Sequence, residues 1–296
     1  MLPAMRAAQE QMATAEVVLK AFPDMTHTER TVKGTHGDII LSIFRPKGLT
    51  GKLPAIYWMH GGGVVMGNRF MGGNAILEAC REYGLVCISV EYRLAPENPY
   101  PAPTEDCYDG LKWVGANAAE LEIDPEKLLI SGASGGGNMA AGTMLMVRDR
   151  GGPKIFAQVL LCPMLDCRGE TASAKLYHDG AIWGGVSNDM AWKAILGGKE
   201  PDIYAAPALA TDLSGLPQTY IDVGSAEMFT DEDVAYAQLL QECGVPTELH
   251  VWQGAFHGYE ALLPSSKLAQ IATATRTAWI GRVLGLSPRS SSDAKL

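Results

Sequence analysis

Apolar residues fall along this chain in short, nearly unbroken runs, separated by longer stretches of helical spacing. Pro54-Ala55-Ile56-Tyr57-Trp58-Met59 is one such run, residues 85–90, 127–131 and 155–161 repeat the pattern, and 218–223 and 247–252 read as further strands. A strand that is apolar throughout, rather than at every second position, has both faces covered. Residues 70–83, 104–118, 231–243 and 264–283 read as the helices between them. The chain opens differently. Residues 1–28 predict an amphipathic helix with Met5, Met12, Val17, Val18 and Leu19 on its apolar positions, and 29–45 predict a hairpin turning near Gly37-Asp38. Strands alternating with helices after such a hairpin give an α/β fold, a mostly parallel central sheet with helices on both faces. Residues 168–213 break the alternation, with Trp183, Met190, Trp192 and Gly-Gly pairs but no strand. An insertion of that length is usually a lid. The expectation is one domain over 1–296 with a small helical cap from 1–28 and 168–213, and a disordered polar tail at 287–296.

One run ends abruptly. Residues 127–131 lead into Gly132-Ala133-Ser134-Gly135-Gly136-Gly137-Asn138, and a helix-like stretch of small residues follows. Gly132-x-Ser134-x-Gly136 has the spacing of a nucleophile elbow, in which a serine tops a sharp strand-to-helix turn. The flanking glycines are needed because a Cβ would clash across so tight a turn. A plain glycine-rich turn is the alternative. So is a dinucleotide-binding turn, since Tyr108 and Lys112 have the Tyr-x-x-x-Lys spacing of short-chain dehydrogenases. Against it, Asn138 stands where the third glycine belongs, and the turn lies mid-chain rather than after the first strand.

Composition narrows the class. The 296 residues are 47% hydrophobic and 19% charged, enough for a large core. The net charge of −9, with no compensating basic run, argues against nucleic-acid or anionic-membrane binding. The first residues lack a basic-then-apolar leader pattern, and no stretch is long enough to span a bilayer. Cys80, Cys87, Cys107, Cys162, Cys167 and Cys243 form no Cys-x-x-Cys pair and read as buried free thiols. The expectation is a cytoplasmic protein.

Further features then agree with the elbow. His60-Gly61-Gly62-Gly63 leaves the third strand, where acyl-transfer hydrolases place the backbone amides of an oxyanion hole. His60 reads as a residue that holds this loop, not as a base. Glu227 lies just past strand 218–223 and His257 just past strand 247–252. Ser134, Glu227, His257 is the nucleophile–acid–base order of α/β-hydrolases, and all three leave the carboxyl edge of the sheet. Asp222, inside its strand, is the rival acid. His27, His36, His178 and His250 lack a partner at useful spacing and read as surface or strand histidines. Thr230-Asp231-Glu232-Asp233 reads as helix capping and dipole complement.

With His60-Gly-Gly-Gly63, Tyr92-Arg-Leu-Ala-Pro-Glu97, the elbow and His257-Gly258, the chain resembles the hormone-sensitive-lipase-like carboxylesterases of the α/β-hydrolase superfamily. The likeness covers about 54–260. It departs from the family where Glu227-Met228-Phe229 replaces an aspartate commonly followed by Pro-Leu, and where Val64 replaces a larger residue. The resemblance implies a serine esterase acting on small-molecule esters. Ser134 would be the nucleophile, His257 the base and Glu227 the acid, with the amides of Gly62, Gly63 and Gly135 as oxyanion hole. It implies no metal and no organic cofactor, and it leaves homodimerisation open. A lactonase or an amide or formamide hydrolase would use the same machinery. The non-catalytic gibberellin-receptor branch lacks the histidine that His257 supplies. Trp183 and Trp192 read as cap residues, and the expected pocket suits short acyl chains.

Overall fold

The computed structural model describes residues 2–179 and 182–289, so most of the expected tail at 287–296 lies outside the described residues. Eight strands form one sheet: β1 (Met25–Gly34), β2 (Gly37–Pro46), β3 (Leu53–Met59), β4 (Val86–Glu91), β5 (Ile123–Ala133), β6 (Ala157–Leu161), β7 (Gln218–Gly224) and β8 (Thr247–Trp252). Their order is β1-β2-β4-β3-β5-β6-β7-β8. β2 is antiparallel to both of its neighbours and every other pairing is parallel, so β2 alone runs against the sheet. The opening hairpin and the parallel body are therefore as expected.

Both faces are covered, which explains the unbroken apolar runs. On β3, Ala55, Tyr57 and Met59 enter one core while Ile56 and Trp58 enter the other. The first core holds α4 (Ala102–Ala116), α5 (Gly135–Arg150) and α8 (Thr230–Glu242), through Leu111, Leu145 and Leu240 among others. The second holds α2 (Ala15–Ala21), α3 (Asn74–Tyr83) and α10 (Lys267–Leu284), through Val18, Leu77 and Ile280. The insertion carries α6 (Ala172–Leu176) and α7 (Gly185–Leu196), and α9 (Tyr259–Leu262) follows β8.

Several expectations need correction. The helix placed at 1–28 is two: α1 (Leu2–Met12) and α2, which Thr14 caps by accepting from the Val17 amide, and β1 already begins at Met25. Met5, Met12 and Val17 are exposed and no residue of α1 is buried, so the apolar spacing there did not mark a core face. The helix placed at 70–83 starts only at Asn74, because Gly72 has φ +71° and Trp58 Nε1 donates to the Met71 carbonyl in the preceding turn. Arg289, in the expected tail, donates its amide to the Glu82 carbonyl. The acids opening α8 are more than caps. Glu232 and Asp233 are buried, and Glu232 accepts from the amides of Leu165 and Asp166 in the loop leaving β6.

Candidate active site

Ser134 sits between β5 and α5 with φ 56° and ψ −121°. A positive φ on a serine costs on the order of 1–3 kcal/mol and persists only where the surroundings over-determine it. Here the Ser134 amide donates to the Leu161 carbonyl at 2.8 Å, and its carbonyl accepts from Met164 and Asn138 at 3.1 Å each. The glycines explain themselves sterically. A Cβ on Gly132 would lie 2.0 Å from the Gly136 carbonyl oxygen, and one on Gly136 would lie 2.2 Å from that of Met59.

From the ends of β7 and β8 come Glu227 and His257. His257 Nε2 lies 2.9 Å from Ser134 Oγ, and its Nδ1 lies 2.5 Å from Glu227 Oε2. With Nδ1–H donating to the carboxylate, Nε2 is left to accept from the serine hydroxyl. Glu227 is only 1% exposed, and its other oxygen accepts from the Gly224 amide at 2.8 Å. Folding the side chain back onto its own turn takes up the methylene by which glutamate exceeds aspartate. Phe229 meets the imidazole edge-on at 5.1 Å.

The rival acid points elsewhere. Asp222 accepts from Arg276 Nη1 at 2.9 Å and from the Tyr220 hydroxyl at 3.2 Å. Burial works against the Arg276 charge, but Asp222 and Glu260 more than offset this and raise its pKa. Asp222 thus belongs to a buried ion network beneath the site.

The His60–Gly63 loop meets the elbow from the other side. Gly62 and Gly63 have φ of 112° and 59°, conformations that favour glycine. A Cβ on Gly135 would fall 2.8 Å from the Gly63 nitrogen and 2.7 Å from that of Val64, so the loop backbone and the residue after Ser134 are in contact. His60 is fully buried, stacks on Tyr92 at 4.2 Å, and its Nδ1 lies 2.8 Å from the Gly61 carbonyl oxygen. Burial lowers its pKa, so it is neutral and structural, as expected. From the insertion, Trp183 covers Gly63, where an added Cβ would come within 2.2 Å of the indole. Trp183 and Trp192 are both buried in the first core.

Other histidines do have partners, contrary to expectation: His27 with Ser42, His178 with Asp179 and His250 with Glu248, each at 3.0 Å. None of these partners belongs to the Ser134 chain. Sequence reading missed Cys162, whose thiol lies within 4.8 Å of Glu227 and His257. Burial, and then the charge of Glu227, raise its pKa. Its place directly after a parallel strand was the available signal. Those three side chains could together reach a metal ion, but Glu227 and His257 are already engaged with each other. All six cysteines are free. Among the described residues no helix is long and apolar enough to cross a membrane. A cleft of about 480 Å³ lies beside α1, bordered by Arg6, Gln9, Glu91, Tyr92 and Glu97.

A serine at an elbow, an imidazole and a carboxylate hydrogen-bonded in series on this sheet define an α/β-hydrolase, and the chain belongs to the α/β-hydrolase fold family, which it matches over residues 56–261. It is 34% identical over 267 residues to carboxylesterase NlhH of Mycobacterium tuberculosis, covering 86% of this chain and 81% of that protein. Esterase LipI of the same organism is 32% identical over 249 residues, 80% of this chain and 76% of that one. Among solved structures, a bacterial heroin esterase superposes with a TM-score of 0.90 at 35% identity, covering 98% of this chain and 92% of its own. Esterase LipW of Mycobacterium marinum gives 0.90 at 32%, covering 96% and 90%.

Proposed function

We propose that this chain is a carboxylic ester hydrolase working through a Ser134 acyl-enzyme. The observation that carries the reading is the series Ser134 Oγ–His257 Nε2–His257 Nδ1–Glu227 Oε2, at 2.9 and 2.5 Å. Ser134 Oγ attacks the ester carbonyl carbon while its proton passes to His257. The amides of Gly62, Gly63 and Gly135 stabilise the oxyanion of the tetrahedral intermediate, each worth roughly 2.7–4 kcal/mol of barrier. Collapse of the intermediate breaks the ester C–O bond, and His257 returns the proton to the departing alcohol. Water repeats the cycle to release the acid. Glu227 holds the imidazole tautomer and stabilises its charged form. A ligand-binding role without hydrolysis would have no use for this hydrogen-bonded series. Free thiols throughout support a reducing, cytoplasmic setting.

A fluorophosphonate probe should label Ser134, and Ser134→Ala should lose both labelling and p-nitrophenyl acetate turnover. Labelling of that variant at another residue would overturn the assignment. Simple esters should be cleaved faster than lactones or anilides of the same acyl group.

A further inference from the structure

Helix α1 buries no side chain, yet its polar groups grip the backbone that leads away from the glycine loop. Arg6 Nε donates to the Val65 carbonyl at 2.7 Å and Arg6 Nη2 to the Ala95 carbonyl at 2.6 Å. Gln9 Oε1 accepts from the Gly67 amide at 3.0 Å, and Asn68 Nδ2 donates to the Ala13 carbonyl at 3.0 Å. Leu2 packs half-buried against the first core, and the rest of the docking of α1 is by hydrogen bonds.

The two carbonyls that Arg6 joins adjoin Val64, the residue that follows the glycines. The Ala95 amide donates to the Val64 carbonyl at 3.0 Å, and the Val65 amide donates to the Gly62 carbonyl at 3.1 Å. Between them Val64 is held at φ 60°, which a β-branched residue rarely adopts. The Gly63–Val64 backbone is what Gly135 packs against. One guanidinium thus ties together two segments whose mutual hydrogen bond fixes a strained peptide beside the elbow. Arg6 Nη1 also reaches both Glu97 oxygens, at 2.9 and 3.0 Å. The Glu97 side chain is 59% exposed, so that ion pair orients the guanidinium more than it stabilises the fold. Only a planar, multi-donor group can serve two carbonyls and a carboxylate together, and a lysine ammonium lacks that fork.

We propose that Arg6 is a positioning residue: from the N-terminal helix it fixes the loop whose amides hold the oxyanion. The proposal rests on the acyl-transfer reading above. It explains why a helix with no buried residue carries directed contacts to the segments that follow β3 and β4.

The test compares wild type, Arg6→Ala and Arg6→Lys for kcat and KM on p-nitrophenyl acetate and for inhibition by an alkyl trifluoromethyl ketone. The ketone adds to the serine and places a hemiketal oxyanion among the loop amides. In Arg6→Ala, kcat should fall about 10-fold to 100-fold, by analogy with small misplacements of a reacting group. KM should stay within about threefold, and the ketone Ki should rise in step with the loss in kcat/KM. Arg6→Lys should recover only part of the loss. Low-millimolar guanidinium should partly restore Arg6→Ala, a rescue that a misfolded variant would not show. Unchanged kcat and Ki in Arg6→Ala, or a rise in KM alone, would overturn the role. A wild type that fails to bind the ketone would instead overturn the acyl-transfer reading, and this proposal with it.

Discussion

Glu227 and Asp222 stand five residues apart at the end of one strand, and their surroundings divide the work between them. Glu227 faces His257 and its own turn, whereas Asp222 faces Arg276, which is buried and also paired with Glu260 at 2.7 Å. Glu227→Gln should keep the fold and lose roughly 10²–10⁴ in kcat, as when a histidine is left in the wrong tautomer. Asp222→Asn should do the reverse. Burial, the largest cause, raises the Asp222 carboxyl to about 7 and Glu260 still faces Arg276, so the substitution should lower the melting temperature while folded enzyme keeps most of its turnover. Paired thermal melts and initial rates separate the two, and the assignment fails if Asp222→Asn carries the kinetic loss. Ser134, His257 and Glu227 were legible in the sequence because glycine spacing and position after a strand have direct steric meaning. Arg6 was not, since its proposed role comes from contacts that only the folded chain creates. Val65 lies 59 residues from Arg6.

The elements were legible in kind and less so at their ends. Strands buried on both faces announce themselves by composition, but the break between α1 and α2 depends on a single capping threonine. Helix α8 shows the same limit more sharply. Its first-turn acids look like solvent-facing dipole partners, yet tertiary packing buries Glu232 and Asp233. Among the described residues neither Asp233 side-chain oxygen meets a hydrogen-bond partner. Burial raises its pKa well above the usual carboxylate range, and the nearby acids Glu232, Glu227 and Asp222 raise it further. The sign of the consequence follows from linkage. The folded chain keeps this proton while the unfolded chain releases it near roughly pH 3.9, so the native state is the proton-richer one. The contribution is favourable below that pH and is lost progressively as pH rises toward the folded pKa, by up to about 1.4 kcal/mol per unit. Asp233→Asn should therefore gain in melting temperature relative to wild type as pH rises above about 5. Melting curves across that range check it, and a difference that is constant or inverted would mean the carboxylate is ionised in the fold.

At the scale of the whole molecule, the sheet edge carries the proposed chemistry, and two separate stretches contact the segment that begins with the glycine loop. Helix α1 reaches the glycine loop from one side, and the insertion brings Trp183 against Gly63 from the other, 6.4 Å from the His257 ring centre. Trp183 Nε1 donates to Asn188 Oδ1 at 3.3 Å within the insertion, which ties the indole to the start of α7. A rigid aromatic wall beside both the proposed oxyanion amides and the proposed base leaves little length for a substrate chain on that side. The insertion was legible as a break in the strand–helix alternation, but which of its tryptophans would line the site was not. Trp183 and Trp192 are equally apolar in sequence and both are buried in the first core, and only packing puts the Trp183 indole against Gly63. The expected outcome is a preference for short acyl chains, set by the insertion rather than by the three hydrogen-bonded residues. Trp183→Ala should shift the best p-nitrophenyl ester from acetate or butyrate toward longer chains. Its kcat on acetate should fall less than that of Ser134→Ala, because the hydrogen-bonded series itself is kept although the packing on Gly63 is lost. Comparing kcat/KM from acetate to palmitate in both proteins decides the matter. A wild type that already favours palmitate, or a variant with an unshifted chain-length profile, would show that Trp183 does not limit the pocket.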